Sequence, residues 1–546
     1  MRYTLTITSY QASAHTGIEE RTVKKAIVRK DSYFDSVFLM SLSKKLKTQP
    51  GVSDAVVAMG TAMNLELLRS QGYAALELSG AGPNDLVMAV DCAEAPVVEA
   101  AFKAATDLLA RKRTSSGSAS GASQPASLEG AVQEMPGANL AIISLPGAYA
   151  AREARKALER GLHVMLFSDN VSLEQEIALK KLGRSKGLLV MGPDCGTAII
   201  NGAPLCFANV VRRGPVGVIA ASGTGLQEVT SLVDRYGSGI SQAIGTGGRD
   251  LKNARVGGIT MLMGVEALSR DPATSVLVLV SKPPAADVAA KVLDTIGSSG
   301  KPAVVLFLGL DPAAAGKLPP NVRLCDSLEG AAAQAVALAR GTPLSESERG
   351  GEASFLADLV RRETKGMAKS QRYVRGYFTG GTLADEAMIL LHRMTGAVHS
   401  NNQTDPAFVL KDPKVSVGHT IVDLGDDVFT VGRPHPMIDP STRTERIAAE
   451  TGDASIAVVL VDVVLGYGSH EDPAGAMLPS LVEARRAAQA RGGHLPVIAS
   501  VTGTPGDFQG YAGQVAKLEA AGCIVMPSNY RAAVLAAKIL EKVAPR

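Results

Sequence analysis

Short apolar, β-branched runs alternate with amphipathic stretches along most of this chain. The middle of the sequence shows this most clearly, with apolar runs that read NLAIISLPG, HVMLFSD, GLLVMGPD, VGVIAASG, SVLVLVS and PAVVLFLG. Fully apolar strands separated by helices are typical of parallel sheets that carry helices on their faces. The alternation therefore predicts an α/β fold of several doubly wound, three-layer domains with parallel sheets, of the Rossmann or flavodoxin type.

Two stretches without this alternation divide the chain, which at 546 residues is too long for one hydrophobic core. Residues 112–128 are rich in Ser, Gly and Ala, as is typical of a flexible tether, and residues 341–370 lead from GTPLSESERGGE into a charged helix. The predicted blocks are an N-terminal α/β domain over residues 1–111, a middle block over 129–340 and a last block over 371–546. In the first block, KKAIVRK and DAVVAMG are the expected strands, again of a parallel sheet.

Charge and cysteine content exclude several classes of function. The formal net charge is only +3, which gives no electrostatic case for binding nucleic acid or an acidic membrane. The 5 cysteines show no CxxC spacing, so neither a zinc site nor a disulfide framework is expected. The N-terminus has no apolar signal core, and no apolar run approaches the ~18 residues of a membrane span. We therefore expect a cytoplasmic protein that acts on small molecules.

The stretch GVIAASGTGLQEV predicts a buried strand, a glycine-rich turn and a helix. A helix that begins near Thr224 leaves its first backbone N–H groups unpaired, and its dipole puts about half a positive charge at that end. Gly223 and Gly225 let an anion approach the backbone, and Ser222 and Thr224 add hydroxyl donors. The motif equally fits a serine that only caps the helix. It is not a Walker loop, since no Lys-Ser or Lys-Thr follows, nor a nucleophile elbow, since Ala220 replaces the first glycine.

Residues just after the strands are the expected ligand contacts, because ligands of doubly wound folds bind at the carboxyl ends of parallel strands. Glycine and proline dominate these positions, and turn formation alone explains each of them singly. Besides the Ser222 turn, we expect Asp194, Gly247 and Gly248 to contact the substrate.

Several longer motifs resemble known enzymes. The runs MGPDCGTAIING, GPVGVIAASGTGLQEV and AIGTGGRDL resemble the α subunit of succinyl-CoA synthetase, between its CoA-binding and ligase domains. The run from YFTGGTLADE to VTGTPGDFQG resembles the ligase domain of that enzyme's β subunit, without an ATP-grasp domain. SYFDSV, LFSDNVSLE, GRPHPMIDP and GYGSHEDP are similar to hallmarks of the FdrA family, which fuses these pieces in one chain.

This resemblance implies a succinyl-CoA synthetase-like domain order. The middle block would divide into a CoA-binding-like Rossmann domain over residues 129–210 and a first ligase-like, flavodoxin-type domain over residues 211–340. Residues 371–546 would be a second ligase-like domain, similar to the β subunit.

The resemblance also implies a phosphate held between two helix N-termini, one from each ligase-like domain. The first helix would be the one that follows Ser222. The second would begin at Asp439, where a capping residue precedes a first-turn proline, so Pro440, Ser441 and Thr442 are the expected phosphate contacts there. Two opposed helix dipoles would stabilise a phosphoryl anion.

Three features of the parent enzymes are missing. Succinyl-CoA synthetase carries its phosphoryl group on a histidine after the last strand of the first ligase domain, and the loop FLGLDPAAAGKLPPNV contains none. The first block lacks the glycine-rich loop that grips CoA, and no Walker loop or ATP-grasp domain offers an ATP site. Inorganic phosphate is therefore the expected co-substrate, with CoA as an alternative ligand.

Some FdrA-family proteins are similar to a subunit of oxamate carbamoyltransferase, which acts in allantoin breakdown, a part of purine catabolism. This resemblance implies attack of phosphate on the ureide carbonyl of oxalurate, giving oxamate and carbamoyl phosphate. The leaving nitrogen needs an acid. His435, held between two prolines, and His470, at a strand end, are the candidates, and Arg433 could pair with phosphate or a carboxylate. Each histidine fits a structural role equally well.

Two other functions fit the same sequence. The chain is alternatively an acyl-CoA synthetase that forms a nucleoside diphosphate with a separate ATP-grasp partner, or a non-catalytic scaffold. We expect a hetero-oligomer with other catabolic subunits, acting on a ureide or a carboxylic acid. Asp426 and Asp427 are adjacent loop carboxylates, which are more often solvated than metal-bound, so no metal is expected.

Overall fold

The computed structural model describes residues 22–32, 34, 36–115, 125, 127–310, 317–345, 347–348, 353–431 and 433–543. The chain divides into two compact units, Met1–Gln124 and Pro125–Arg546. Much of the predicted tether at 112–128, the N-terminal residues and part of the loop FLGLDPAAAGKLPPNV lie outside the described residues. Within the described ranges, no helix is both long and apolar enough to cross a membrane.

The first unit is a small antiparallel α/β domain. It consists of β1 (Val23–Arg29), α1 (Ser36–Lys47), β2 (Val52–Met59), α2 (Ala62–Ser70), β3 (Leu86–Cys92) and α3 (Ala95–Ser115). The central strand β3 pairs antiparallel with both β1 and β2, so the parallel sheet expected for this block is wrong. The reason is β3, which was not predicted and which lies between the two predicted strands. Leu46 and Ala105 pack with Val90 on one face of the sheet, and Leu68 packs with Val87 on the other.

The second unit begins with a small parallel sheet. Its elements are α4 (Leu128–Glu134), β4 (Leu140–Ile143), α5 (Gly147–Glu159), β5 (His163–Leu166), α6 (Leu173–Lys186) and β6 (Val190–Met191). The strands pair in the order β4-β5-β6. A capping box fixes the start of α6, because Ser172 and Gln175 bond each other's backbone reciprocally.

A seven-stranded sheet follows. Its elements are β7 (Thr197–Ile200), β8 (Ala203–Cys206), β9 (Arg213–Ala221), α7 (Gly223–Arg235), β10 (Ile240–Gly245), α8 (Arg249–Lys252), α9 (Ile259–Arg270), β11 (Val276–Ser281), α10 (Ala286–Gly297), β12 (Ala303–Phe307), β13 (Val322–Cys325) and α11 (Leu328–Arg340). The strand order is β13-β12-β11-β9-β10-β7-β8. The hairpin β7-β8 precedes residue 210 yet pairs antiparallel with β10, so the predicted boundary at 210 does not separate the sheets.

The last part of the chain forms a six-stranded parallel sheet. Its elements are α12 (Ala353–Thr364), β14 (Tyr373–Phe378), α13 (Gly381–Thr395), β15 (Val398–His399), β16 (His419–Asp423), α14 (Asp427–Thr430), α15 (Ser441–Ala449), β17 (Ile456–Val464), α16 (Pro473–Ala490), β18 (Val497–Thr502), α17 (Tyr511–Ala520), β19 (Ile524–Met526) and α18 (Asn529–Val543). The strand order is β15-β16-β14-β17-β18-β19.

The two large sheets are structural repeats of each other. β10-β9-β11-β12-β13 and β16-β14-β17-β18-β19 have the same parallel order, that of flavodoxin-like folds. The sequence repeats as well, since Ser222-Gly223-Thr224 after β9 corresponds to Gly380-Gly381-Thr382 after β14. We call the two parts the first half (β7 to α11) and the second half (α12 to α18). The predicted α/β fold class is confirmed for this unit.

The two halves share one hydrophobic core. Helices α7 and α11 of the first half pack against α13 and α18 of the second, and fully buried Leu226, Val229, Leu383 and Ala536 belong to one cluster. This packing brings the carboxyl ends of β9 and β14 next to each other, which places the site described below.

Candidate functional site

The N-terminus of α7 has the form that the sequence predicts. Strand β9 is buried from Val216 to Ala221, and Ser222 caps the helix by accepting the N–H of Gly225 at 3.0 Å. Gly223 is exposed, and a Cβ there would meet only Thr197, at 3.7 Å from its Oγ1. No acceptor among the described residues takes the N–H groups of Gly223 and Thr224. The free donors and the helix dipole make this end suited to an anion.

The helix that meets this N-terminus is α13. The Ser222 hydroxyl lies 2.7 Å from the hydroxyl of Thr382, in the first turn of α13. On the other side, a Cβ at Gly380 would lie 2.9 Å from Cγ2 of Thr224. Within the described part of the chain, the N–H groups of Gly381 and Thr382 also lack acceptors. Two glycine-rich helix N-termini, one from each half, therefore meet at one point.

Helix α15 was the predicted second partner of α7, with Pro440, Ser441 and Thr442 as phosphate contacts. The helix begins at Ser441 after Pro440, as the sequence predicts, but the carboxylate of Asp439 already accepts the Ser441 N–H at 3.0 Å. Thr442 is buried. A carboxylate at this helix start repels a phosphate, whereas the N-terminus of α13 contacts that of α7 through Thr382 and Ser222.

A group of charged side chains lies near the N-terminus of α13. Lys282, directly after β11, pairs with Asp385 of α13 at 2.6 Å, and its side chain is 37% exposed. Burial works against the lysine charge, but the carboxylates of Asp385, Asp423 and Asp194 together outweigh it and raise the pKa of Lys282. The amide of Asn402 donates to Asp385 at 3.1 Å and to Asp423 at 2.9 Å. Lys282 follows strand β11 of the first half, and Asp423 ends strand β16 of the second. The Lys282 cation and the carboxyl groups of Asp385 and Asp423 therefore lie together where the two halves join.

Asp423 has an unusual environment for a carboxyl group. It is buried at the end of β16, and a Cβ at Gly381 would lie 2.5 Å from its Oδ2. Burial raises the pKa of Asp423 to about 6, against the lowering effects of the Asn402 amide and the Lys282 ammonium. A carboxyl group that titrates near neutral pH beside an anion site can hold and release a proton.

The predicted substrate contacts Asp194, Gly247 and Gly248 come together. A Cβ at Gly247 would lie 2.3 Å from the carbonyl oxygen of Pro193, and one at Gly248 would lie 3.8 Å from Oδ2 of Asp194. Part of the Asp194 residue is exposed, but the protein around its carboxyl group removes much of the surrounding water. The loss of hydration, together with repulsion from Asp169 and Asp427, raises the pKa of Asp194 to about 6. The turn after β6 thus places the acidic group of Asp194 close to Gly248.

The two candidate histidines lie on neighbouring loops. The backbone N–H of His470 donates to the carbonyl of Met437 at 2.7 Å, and the N–H of Met437 donates to Nδ1 of His435 at 3.2 Å. The Nδ1 of His470 likewise accepts the N–H of Asp472 at 3.0 Å. A ring nitrogen that accepts a hydrogen bond carries no proton, so each neutral ring bears its proton on Nε2.

Burial decides the charge of His435. It lowers the pKa of His435 to about 4, so the ring is neutral at physiological pH. Its Nε2 lies at the turn after β16, where a Cβ at Gly425 would meet it at 2.6 Å. His435 is therefore a neutral N–H donor. Of the two histidines predicted as the acid, His470 stays a prediction, and Asp423 is a further candidate because its pKa is about 6. Arg433 pairs with Glu445 at 2.8 Å on the surface, so its guanidinium is not held for a substrate.

Family models match two parts of the chain. A CoA-ligase model matches residues 377–539, which contain α13 and the second half of the site. A model described as AllF, heavy metal-associated domain, matches residues 22–125. That segment contains a single cysteine, Cys92, and no histidine, so the usual soft metal ligands are not grouped in it.

Relatives cover the chain to different extents. The uncharacterized protein YahF of Escherichia coli (strain K12) is 42% identical over 521 residues, covering 95% of this chain and 99% of YahF. The α subunit of an ADP-forming succinate–CoA ligase of Aquifex aeolicus is 26% identical over 152 residues, covering 27% of this chain and 48% of that subunit. A solved acetyl-coenzyme A synthetase of Ca. Korarchaeum cryptofilum, in complex with phosphate and ADP, is 17% identical and covers 74% of this chain and 82% of its own, with a TM-score of 0.27.

Proposed function

The chain belongs to the FdrA family, and on that premise we propose that it is the CoA-ligase-like component of an acyl-transfer enzyme, which joins phosphate to an acyl carbon. One observation carries the proposal: the N-termini of α7 and α13 meet at the hydrogen bond between Ser222 and Thr382, and their first N–H groups are unclaimed within the described residues. Each helix end stabilises an anion by about 0.3–1 kcal/mol, and by about 2 kcal/mol where it is partly buried.

The chemistry follows from the charges around this point. The N–H groups of Gly223 and Gly381 hold the phosphate oxygens, and Lys282, paired with Asp385 of α13, adds a positive charge near the N-terminus of that helix. Charge that develops on the acyl oxygen is met by the neutral Nε2–H of His435, which needs no proton transfer to act. Asp423 supplies the proton for the leaving group, since its pKa of about 6 leaves part of it protonated near neutral pH.

The relatives favour an acyl-CoA synthetase of this kind. The CoA-ligase match and the likeness to a succinate–CoA ligase α subunit support an acyl phosphate that a CoA thiol then consumes, with a separate partner chain that binds the nucleotide. The chain has no histidine between His163 and His392, so a phosphohistidine at the usual loop is missing. We propose that phosphate is free in this site: the CoA thiol attacks the acyl carbon of the acyl phosphate, the bond from that carbon to the phosphate oxygen breaks, and inorganic phosphate leaves. In the reverse direction phosphate attacks the thioester carbon and the CoA thiol leaves. No histidine carries the phosphoryl group in this step, and in the neutral rings of His435 and His470 the Nε2 holds the proton.

The missing histidine also favours a second candidate, phosphate-dependent carbamoyl transfer from oxalurate. A phosphate oxygen would attack the carbamoyl carbon, and the bond from that carbon to the oxamate nitrogen would break. Asp423 would give its proton to that nitrogen, releasing oxamate and leaving carbamoyl phosphate. This reaction uses inorganic phosphate alone, which fits a chain without an identified ATP or CoA loop.

The two candidates differ in what they consume. The full-length chain should be assayed with and without the products of neighbouring genes, using hydroxylamine to trap any acyl or carbamoyl phosphate. Hydroxamate that forms only with ATP, and thioester that forms only with ATP and CoA, would support the synthetase. Hydroxyurea that forms from oxalurate and phosphate without either would support carbamoyl transfer. If neither assay gives a trapped product, the proposal that this chain joins phosphate to an acyl carbon is contradicted.

A further inference from the structure

Asp462 is a fully buried carboxyl group with an unusual set of donors. It lies near the end of β17 and accepts the N–H of Thr379 at 2.9 Å and that of Gly380 at 2.8 Å. The Thr379 hydroxyl donates to it at 3.1 Å, and the buried guanidinium of Arg443 at 2.9 Å. Every one of the backbone donors belongs to the turn that leads from β14 into α13. The carboxylate therefore fixes that turn from the protein interior, since Asp462 is fully buried.

The internal repeat shows what Asp462 replaces. In the first half, Ser222 caps α7 with its own side chain, whereas Gly380 at the matching position has none. In the first half Val280 of β11 pairs with Ala220, two residues before Ser222. In the second half Val461 of β17 pairs with Tyr377, so the next residue, Asp462, lies beside Phe378, two residues before Gly380. Asp462 therefore occupies the position that matches Val280. The half with a capping serine has an apolar residue at this place, and the half without one has an aspartate.

Packing explains why the second half cannot use a serine. A Cβ at Gly380 would lie 2.9 Å from Cγ2 of Thr224 and 3.0 Å from Cδ1 of Leu383, closer than side-chain atoms pack. A glycine is thus required where α13 meets α7. The first turn of α13 must then be held by a group that lies outside the contact, and the carboxylate of Asp462, neutralised by Arg443, is such a group.

We infer that Asp462 is a positioning residue for the anion site: it holds the Thr379–Gly380 turn so that the N–H groups of Gly381 and Thr382 face those of α7. The inference rests on the proposed function for its consequence in binding, but its structural part does not depend on it. Arg443 acts with Asp462, since a buried carboxylate needs a paired cation.

The test is Asp462→Asn in the full-length chain. Asparagine keeps one acceptor oxygen but replaces the other with an NH2 group, which cannot accept a hydrogen bond. Some of the donors of Thr379, Gly380 and Arg443 therefore lose their partner, and we expect faster amide hydrogen exchange over residues 378–386. We also expect inorganic phosphate to bind about tenfold more weakly, which corresponds to about 1.4 kcal/mol. Phosphorus NMR titration measures the affinity. If the single variant does not fold, Asp462→Asn combined with Arg443→Met removes both buried charges together and serves the same test.

Asp507→Asn is the matched control. Asp507 is also a buried carboxyl that holds a turn, accepting the N–H groups of Val210 and Thr504 at 2.8 Å each, but it is bonded to no residue of α13. It should lower the melting temperature similarly and leave phosphate affinity unchanged. Unchanged exchange in Asp462→Asn would overturn the inference, as would faster exchange with unaltered phosphate affinity. If the wild-type chain binds no phosphate, the proposed function fails, and faster exchange in Asp462→Asn alone still supports the positioning role.

Discussion

Glu228 and Glu386 each accept a backbone N–H from the other half of the unit, at equivalent positions. Glu386, on α13, accepts the backbone N–H of Leu328 at the start of α11 at 2.7 Å, and Glu228, on α7, accepts that of Asn529 at the start of α18 at 3.1 Å. Each half thus caps the last helix of the other half with a carboxyl group from its own first helix. Both helix starts are buried at this interface, so an unmade bond there would leave a donor without water or protein.

The first prediction concerns the pH dependence of stability. Burial raises the pKa of Glu386 from 4.5 to about 8, so the folded chain favours its protonated form. The contribution of protonated Glu386 to the free energy of unfolding is fully present below about pH 4.5. It is lost as the pH rises to about 8, by about 1.4 kcal/mol for each pH unit. Glu386→Gln, which cannot ionise, should flatten the fall in the free energy of unfolding between about pH 6 and 8, as measured by urea unfolding. Glu483→Gln, an exposed change, is the control, and an unaltered slope in Glu386→Gln would contradict the assignment.

The second prediction concerns the proton donor. If Asp423 acts as the acid, kcat/KM should fall as the pH rises through about 6, since the protonated carboxyl is the active form. Asp423→Asn should remove this part of the pH profile and lower the rate by a factor of about 10²–10⁴. Asp426→Asn changes a carboxyl on the same loop that only caps α14, bonding the Val428 N–H at 3.0 Å, and should keep the wild-type profile. A wild-type profile in Asp423→Asn would assign the proton to another group.

The third prediction concerns His435 and needs no assay. Because burial lowers its pKa to about 4, its ring should remain neutral from pH 5 to 8, with the proton on Nε2. Nitrogen-15 NMR of the imidazole rings, assigned with His435→Gln, reports both the tautomer and the titration. A midpoint near the ordinary value of 6.5 would show that the ring can act as a cationic acid, and a proton on Nδ1 would contradict the tautomer.

Local patterns predict the elements of this fold better than the contacts between them. The strand, turn and helix around Ser222 and the helix start at Ser441 follow from period and capping, which are local properties. The contact of Ser222 with Thr382 joins residues 160 positions apart, and no period reports it. The available signal was the internal repeat of SGTGLQE as GGTLADE, which equates Thr224 with Thr382.

Other differences between the predictions and the structure also arise from contacts between residues far apart in the sequence. The direction of pairing in the first unit depends on β3, whose run LVMAVDC is apolar enough for either a parallel or an antiparallel sheet. Lys282 could be seen to follow a strand, but its partner Asp385 lies on a helix of the other half. The charge of His435 depends on burial, which the two flanking prolines do not reveal. Sequence patterns thus located the strand ends that carry the site, and tertiary packing decided which of them meet.

The central claim is that α7 and α13 together hold phosphate, and binding of inorganic phosphate to the full-length chain tests it most directly. Gly223→Val adds a side chain where a Cβ has room, 3.7 Å from Thr197, so it should cover the free N–H groups without unfolding the protein. We predict that phosphorus NMR shows saturable binding to the wild type, affinity at least about tenfold lower in Gly223→Val, and wild-type affinity in Ser441→Ala at the start of α15. Equal affinity in the wild type and Gly223→Val, or loss of binding in Ser441→Ala alone, would contradict the claim.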